Sequence, residues 1–131
     1  MSLASAIEYQ MPTALERSFR NAFSGVSYAL RTQRNARIHL GITLAVLVLG
    51  TWLRIGIEGW VPLILVAGLV WTAELINTAL EAAIDLASPQ EHSLAKTSKD
   101  VSAGAVLLAA ATATVIGFLI LGPPLFMRLA P

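Results

Sequence analysis

The sequence predicts an all-α membrane protein, with an N-terminal amphipathic helix at the membrane interface followed by three transmembrane helices. Of its 131 residues, 56% are hydrophobic and only 13% are charged, whereas soluble domains carry about 25% charged residues. Long apolar runs begin near Ile38 and fill most of the remaining chain. A helix of roughly 20 apolar residues crosses a bilayer core, and the length suits a single domain.

Composition also excludes some classes of site and partner. The chain contains no cysteine, which excludes disulfides and thiolate-bound metals. Its net charge is +1, and its lysines and arginines form no continuous run. Nothing in the charge pattern therefore indicates a nucleic acid partner.

The N-terminal segment predicts a surface helix over residues 12–34, preceded by a flexible tail over residues 1–11. Pro12 suits the first turn of a helix, and Thr13 and Glu16 have the spacing of a capping box. Apolar side chains then recur at intervals of three and four: Leu15, Phe19, Ala22, Phe23, Val26 and Leu30. Arginine, asparagine and serine lie between them, as in a helix that lies in a membrane interface. A surface helix of a soluble domain is the alternative.

Three transmembrane helices are expected, over residues 36–54, 60–87 and 100–121. Trp52 and Trp60 flank the first connection, where interfacial tryptophan is favoured. The second connection is expected to be a polar loop over residues 86–99, with Ser98 or Asp100 as N-cap of the third span. Gly122 and the two prolines that follow it are expected to end that span.

Lysine and arginine are distributed unequally between the two ends of these spans. Seven lie before the first span or in the second connection: Arg17, Arg20, Arg31, Arg34, Arg37, Lys96 and Lys99. Arg54 and Arg128 lie at the opposite end. The positive-inside rule therefore predicts a cytoplasmic N-terminus and a cytoplasmic loop 86–99.

A polar stripe at the end of the second span carries the most informative residues. Glu74, Asn77, Glu81 and Asp85 lie at relative positions 0, 3, 7 and 11. With about 3.6 residues per turn, these positions project within an arc of about 80° on a helix. Polar side chains on one face of a spanning helix must face protein, water or a cation.

Carboxylates crowded in this way suit phosphoryl transfer, in which an enzyme mainly positions groups and neutralises charge. Mg²⁺ prefers a few carboxylates together with phosphate oxygens and water, and a further carboxylate can act as general base towards a hydroxyl. Lys96, Lys99 and Asp100 follow at the same membrane surface, where lysine can neutralise phosphate. From spacing alone, a cation or proton relay and an oligomer contact remain alternatives.

Four segments resemble the signature of the prokaryotic diacylglycerol kinase family, which includes the undecaprenol kinases. The two most specific are residues 74–85 (ELINTALEAAID) and 92–106 (HSLAKTSKDVSAGAV). Residues 19–25 (FRNAFSG) and 32–39 (TQRNARIH) are similar to the family's N-terminal segment. The resemblance extends over about residues 15–121.

The resemblance implies ATP-dependent phosphorylation of a membrane lipid alcohol, with Mg²⁺ as cofactor. The expected reaction converts diacylglycerol to phosphatidic acid, and the alternative acceptor is undecaprenol, giving undecaprenyl phosphate. It also implies a homotrimer in the bacterial inner membrane, with active sites shared between neighbouring protomers. The competing class is a cation or proton translocator, which has little need of Lys99 and Asp100.

The family's motif assigns roles to residues of the stripe. By resemblance, Glu74 takes the proton from the lipid hydroxyl, and Asn77 holds the catalytic geometry. Glu81 ligates the Mg²⁺ that bridges the nucleotide phosphates. The other residues implied at the nucleotide are Lys99, Asp100, Asp85, His92, Asn21 and Arg17.

One position departs from the family's pattern. Gln33 lies where the family commonly has a glutamate that acts as a second metal ligand. Glutamine still offers a neutral carbonyl oxygen but removes one negative charge. The resemblance therefore implies a metal site of Glu81 and Gln33 with weaker Mg²⁺ affinity.

Overall fold

The computed structural model describes residues 13–90 and 92–130, and the expected flexible tail 1–11 lies outside the described residues. Within these ranges the chain forms only helices and the connections between them, as the predicted all-α class requires. The four helices are α1 (Ala14–Thr32), α2 (Arg34–Leu53), α3 (Ile57–Ala87) and α4 (Ser93–Leu129). Helices α2, α3 and α4 are each long and apolar enough to cross a membrane.

Helix α1 begins with the predicted capping box. The Thr13 hydroxyl accepts a hydrogen bond from the Glu16 backbone N–H at 3.2 Å, and the Glu16 carboxylate accepts one from the Thr13 N–H at 2.6 Å. Two of the helix's unpaired N-terminal donors are thereby satisfied. Helix α1 ends at Gln33, whose backbone is extended (φ −102°, ψ 123°). Gln33 alone separates α1 from α2, so the direction of the chain changes at this residue.

A tight turn joins α2 to α3. Arg54 adopts a left-handed conformation (φ 55°) and ends α2, and the N–H of Ile55 donates to the carbonyl of Gly50 at 3.2 Å. Gly50 is required here because a Cβ at this position would lie 2.8 Å from the Trp60 ring. Trp60 therefore packs directly against the backbone of α2.

Helix α4 differs from the predicted span 100–121 at both ends. It begins seven residues earlier, at Ser93, because the ring Nδ1 of His92 accepts from the Leu94 N–H at 3.2 Å and caps the helix. Ser98 and Asp100, expected as N-caps, therefore lie inside α4, and the loop predicted over residues 86–99 shortens to the few residues between α3 and α4.

The C-terminal end of α4 also differs from the prediction. The helix continues through Pro123 and Pro124 to Leu129 instead of ending at Gly122. The φ angle of proline is compatible with a helix, and membrane helices tolerate proline where their neighbours compensate for the lost backbone hydrogen bond. Leu121 and Leu125, on either side of the prolines, pack in or against the same core cluster and hold both segments in one helix.

Helix α3 packs most extensively against α4. Helix α2 contacts both α3 and α4, and α1 contacts α2 and α3. Leu53, Leu63 and Leu121 form an apolar core at the end of the bundle near the α2–α3 turn. At the opposite end, the buried residues of α3 are polar: Glu74, Asn77 and Thr78. The fold therefore separates an apolar end from a polar end.

Candidate active site

The polar stripe of α3 grades from buried to exposed along the helix. The exposed fractions of Glu74 and Asn77 are 1% and 5%, Glu81 is half-buried, and the Asp85 side chain is 65% exposed. The first two residues face the protein interior, which is one of the three surroundings expected for a polar stripe on a spanning helix. Asp85 opens to the surroundings near the α3–α4 connection.

Glu81 is held by two amide side chains. Gln33 Nε2 donates to Glu81 Oε2 at 3.1 Å, and Asn77 Nδ2 donates to Glu81 Oε1 at 3.1 Å. The first contact joins the α1–α2 junction to α3, and the second runs along α3 itself. The structure therefore brings together the two residues that resemblance placed at the metal.

Asn77 is held in turn by a residue that the sequence analysis did not place in the site. Ser102 Oγ lies 2.6 Å from Asn77 Oδ1 and 2.9 Å from the backbone carbonyl oxygen of Lys99. Its spacing of three from Lys99 was the available signal, because residues three apart share a helix face. Ser102 thus connects the start of α4 to the centre of the stripe.

The Glu74 carboxylate lies in the deepest part of the site. It is close enough to His39, Glu81 and the backbone of Ala36 to interact with them electrostatically. Ala36 lies in the first turn of α2, where free backbone N–H groups favour a negative charge. Among the described residues, Glu74 Oε2 has no hydrogen-bond partner. A buried carboxylate oxygen without a partner is unusual in a folded protein.

A cavity of about 620 Å³ lies between the end of α3 and the start of α4. Its lining includes Asp85, His92, Lys96 and Lys99. Three of these were sequence-predicted nucleotide residues, and the structure gathers them at one opening. Lys99 forms an ion pair with Asp85 across the two helices.

The other predicted nucleotide residues are placed differently. Asp100 pairs with Lys96 at 2.7 Å along α4 and is exposed. Arg17 and Asn21 are exposed on α1, which packs against α2 and α3 within the described chain. A single protomer therefore does not bring Arg17 and Asn21 to the cavity.

A second cavity, of about 440 Å³, lies between α2, α3 and α4 within the predicted membrane. Most of its lining is apolar, and His39 and Thr43 lie in its wall on α2. The indole N–H of Trp71 donates to Thr43 Oγ1 at 3.1 Å. Trp71 therefore packs between α2 and α3.

Comparison with known proteins identifies the family. The sequence model described as prokaryotic diacylglycerol kinase matches residues 20–121. The chain belongs to this family. It is 47% identical over 118 residues to a protein named diacylglycerol kinase from Synechocystis sp., an alignment that covers 89% of this chain and 67% of that relative. It is 38% identical over 109 residues to a protein named undecaprenol kinase from Bacillus subtilis, covering 83% of this chain and 89% of that relative.

Membership of the prokaryotic diacylglycerol kinase family makes the chain a lipid kinase, which takes its phosphoryl group from a nucleotide. Its three long apolar helices make it an integral membrane protein. Among the interpretations of the acidic stripe, the family supports phosphoryl transfer over an ion relay. The match ends at Leu121, so the part of α4 that contains the prolines lies beyond it.

The side chains at this site fit a Mg²⁺ ion that receives most of its ligands from the nucleotide and water. Within residues 13–90 and 92–130, no three His, Asp or Glu side chains are grouped as a metal site. Mg²⁺ at phosphoryl-transfer sites needs only one or two carboxylates, because phosphate oxygens and water fill the remaining positions. Glu81 would supply one carboxylate, and the side-chain amide of Gln33 lies beside it, with Nε2 3.1 Å from Glu81 Oε2.

Proposed function

We infer that the protein transfers the γ-phosphoryl group of Mg-ATP to the hydroxyl of diacylglycerol, giving phosphatidic acid and ADP. The observation that carries this proposal is the buried Glu74 carboxylate, whose Oε2 lacks a partner among the described residues. It lies on the same face of α3 as Glu81 and deeper in the membrane half of the helix. A hydroxyl arriving from the bilayer would therefore meet a base before it meets the nucleotide.

In the proposed reaction, Glu74 Oε2 accepts the hydroxyl proton as the lipid oxygen bonds to the γ-phosphorus. The bond between that phosphorus and the β–γ bridging oxygen breaks, and ADP leaves. Glu74 is suited to this role because its carboxylate is buried and its Oε2 has no partner among the described residues. Asn77 contributes by holding Glu81, through the hydrogen bond at 3.1 Å.

Glu81 and Gln33 would hold Mg²⁺ between the protein and the nucleotide phosphates. When bound, the cation neutralises phosphate charge. Both Glu81 oxygens accept hydrogen bonds from amide nitrogens, so Gln33 must turn its oxygen towards the cation. This rearrangement, and the missing second negative charge, support the prediction of weak Mg²⁺ affinity.

The cavity between α3 and α4 is the proposed nucleotide site. Lys99 would exchange its carboxylate partner, Asp85, for phosphate oxygens, because phosphate carries more charge than a carboxylate. His92 and Asp85 line the same cavity and are assigned to the nucleotide side. Asp100 lies one residue after Lys99 and would contact the nucleotide after leaving Lys96.

The remaining assignments concern the assembly and its membrane. We propose that the protein is a homotrimer in which Arg17 and Asn21 of one protomer contact the nucleotide and lipid head group in the active site of its neighbour. Leu15, Phe19 and Phe23 are exposed on α1, which supports an amphipathic helix lying on the membrane surface. The lysines and arginines support a cytoplasmic N-terminus and a cytoplasmic α3–α4 connection in the bacterial inner membrane.

Undecaprenol is the alternative acceptor, which the 38% identical relative supports. The higher identity to the relative named diacylglycerol kinase, 47%, favours diacylglycerol. The chemistry at Glu74 is the same for both alcohols. The two acceptors differ in the apolar chain that the membrane part of the site must receive.

The test is transfer of labelled phosphate from ATP in mixed detergent–lipid micelles, with diacylglycerol and undecaprenol offered in parallel. We expect Mg²⁺-dependent labelling of diacylglycerol, reduced about 10²–10⁴-fold in Glu74→Gln, since this is the typical contribution of a general base. Glu81→Ala should also abolish labelling. Glu58→Gln is the matched control, because Glu58 is exposed at the opposite end of α3. If only undecaprenol is labelled, undecaprenol and not diacylglycerol is the acceptor. If neither lipid is labelled, the proposed function is wrong.

A further inference from the structure

Ser102 differs from the other hydroxyl residues of α4 whose hydrogen bonds are defined. Those residues donate to a carbonyl four positions earlier in their own helix, at 2.8–3.0 Å: Thr97, Ser98, Thr112 and Thr114. Such bonds satisfy a hydroxyl locally and link nothing else. Ser102 instead reaches across to α3, with its Oγ 2.6 Å from Asn77 Oδ1.

The contact between Ser102 and Asn77 is shielded from the surroundings. The exposed fraction of Ser102 is 8%, and that of Asn77 is 5%. Ser102 Oγ also lies 2.9 Å from the carbonyl oxygen of Lys99. A hydroxyl has one hydrogen to donate, and the shorter distance is the one to Asn77.

The arrangement fixes the orientation of the Asn77 amide. An asparagine side chain presents an acceptor oxygen on one side and two N–H donors on the other. Glu81 Oε1, as a carboxylate oxygen, only accepts, so it requires the Asn77 nitrogen at 3.1 Å. The Asn77 oxygen must then face Ser102, which can donate to it. A rotated amide would place the Asn77 oxygen against Glu81 Oε1 and would leave Glu81 without this donor, while Ser102 would lose Asn77 as an acceptor and would donate to the Lys99 carbonyl instead.

Removing the Ser102 hydroxyl would loosen this orientation. Asn77 would lose the donor that holds its oxygen. Its hydrogen bond to Glu81 Oε1 would then be formed only part of the time. Glu81 would then be held on one side alone, by Gln33 at 3.1 Å. Partners that orient a metal ligand typically change metal affinity or activity by about 10–100-fold.

We propose that Ser102 is a positioning residue for the metal site: it holds the Asn77 amide so that Asn77 orients the Glu81 carboxylate. The inference rests on the proposed function, because Glu81 is the metal ligand only in that function. The observed hydrogen-bond distances of Ser102 are to Asn77 and to the Lys99 carbonyl. Ser102 acts through Asn77, and its effect must therefore depend on Asn77.

The first test measures the Mg²⁺ concentration that gives half-maximal lipid phosphorylation. We expect Ser102→Ala to raise this concentration about 10-fold with a smaller change in kcat. Ser102→Thr, which keeps the hydroxyl, should stay within about twofold of the parent protein. Ser98→Ala is the matched control, because Ser98 lies one turn earlier on α4 and bonds only its own helix at 2.9 Å. Equal Mg²⁺ dependence in Ser102→Ala and Ser98→Ala would overturn the proposal. It would also be overturned if Ser102→Thr raised the half-maximal Mg²⁺ concentration as much as Ser102→Ala.

A double-mutant cycle with Asn77→Ala separates positioning from general destabilisation. If Ser102 acts through Asn77, Ser102→Ala adds little further change in the Asn77→Ala background. The same fold-change in both backgrounds would overturn the proposal, because a helix-packing role does not require Asn77.

A binding measurement distinguishes failure of this inference from failure of the proposed function. Electron paramagnetic resonance reports binding of Mn²⁺ in the presence of a non-hydrolysable ATP analogue, without any turnover. We expect about 10-fold weaker Mn²⁺ binding in Ser102→Ala than in Ser98→Ala. An unchanged affinity would refute the role of Ser102 even in an active enzyme. Absence of lipid labelling by the parent protein would instead refute the proposed function.

Discussion

At the scale of single residues, Gln33 sets the charge of the proposed metal site. Its amide donates to Glu81 Oε2 at 3.1 Å, a contact that two facing carboxylates cannot make. Replacing Gln33 by Glu adds a ligand and a negative charge, which Mg²⁺ favours. We expect Gln33→Glu to lower the Mg²⁺ concentration for half-maximal activity about 10-fold, equivalent to about 1.4 kcal/mol. A Mg²⁺ titration of lipid phosphorylation measures the change.

The control for Gln33→Glu is Asn35→Asp. Asn35 is exposed in the first turn of α2, so this variant adds the same charge nearby without adding a ligand to Glu81. If both variants shift the Mg²⁺ dependence equally, the effect comes from the local electrostatic potential and Gln33 has no place in the metal site.

Two lysines line the cavity between α3 and α4, and their partners distinguish them. Lys99 pairs with Asp85 on the neighbouring helix and its side chain is 36% exposed, whereas Lys96 pairs along its own helix and is 79% exposed. The more enclosed Lys99 is therefore better placed to contact phosphate. We expect Lys99→Met to raise the KM for ATP about 10-fold, equivalent to about 1.4 kcal/mol. We expect Lys96→Met to raise it less than about threefold. ATP titrations of both variants, at saturating lipid, decide the assignment.

The opposite order, with Lys96→Met more damaging than Lys99→Met, would reassign the phosphate contact to Lys96. The Asp85–Lys99 pair would then be a structural link between α3 and α4. In either case the effect should appear in the KM for ATP and not in the KM for the lipid, because the cavity lies at the polar end of the bundle.

The site residues show how much sequence spacing alone can predict. The shared face of Glu74, Asn77 and Glu81 follows from helical periodicity, because all three lie on one uninterrupted helix. The contact between Gln33 and Glu81 joins residues 48 positions apart, so it was accessible only through resemblance. The contact of Ser102 with Asn77 depends on the rotation of α4 against α3. Neither spacing nor composition determines that rotation.

At the scale of elements, local signals predicted the beginning of α1 better than the ends of α4. The capping box of Thr13 and Glu16 is a pattern within four residues, and it forms as expected. The ends of α4 depend on surroundings that the local pattern does not contain. His92 caps the helix from the short α3–α4 connection, and core packing around Leu121 holds α4 helical across Pro123 and Pro124.

The capping box predicts how α1 responds to mutation. Thr13→Ala removes the acceptor of the Glu16 N–H, and such losses destabilise a helix by about 1 kcal/mol. We expect faster amide hydrogen exchange in the first turn of α1 and unchanged exchange in α3, measured by mass spectrometry in detergent. Ser18→Ala is the control, since the exposed Ser18 hydroxyl bonds only the carbonyl of Ala14 in its own helix. Equal exchange in both variants would show that the capping box contributes nothing to the stability of α1.

At the scale of the whole molecule, a single protomer leaves much of its membrane surface uncovered. Val48, Leu65 and Leu107, one on each spanning helix, are exposed, which suits contact with lipid. Gly68 and Gly104 are also exposed, and a Cβ on either would meet no described residue within 4 Å. Small residues in membrane helices usually allow another helix to approach closely. None of the four described helices uses this space, which supports an interface between protomers in the proposed homotrimer.

The proposed trimer therefore predicts an unusual outcome for Gly104→Leu. The substitution has room within the protomer, so the helices should form and the Tm in the monomeric state should be retained. A leucine side chain at a close helix–helix contact between protomers would instead prevent their approach.

We expect the parent protein to have the mass of three chains in native mass spectrometry from mild detergent. We expect Gly104→Leu to shift to the mass of a single chain and to lose lipid phosphorylation. Val48→Leu, on the exposed surface of α2 that suits contact with lipid, controls for adding a larger apolar side chain to a spanning helix. A parent protein that is fully active as a single chain would refute the trimer and would place Arg17 and Asn21 outside the site altogether.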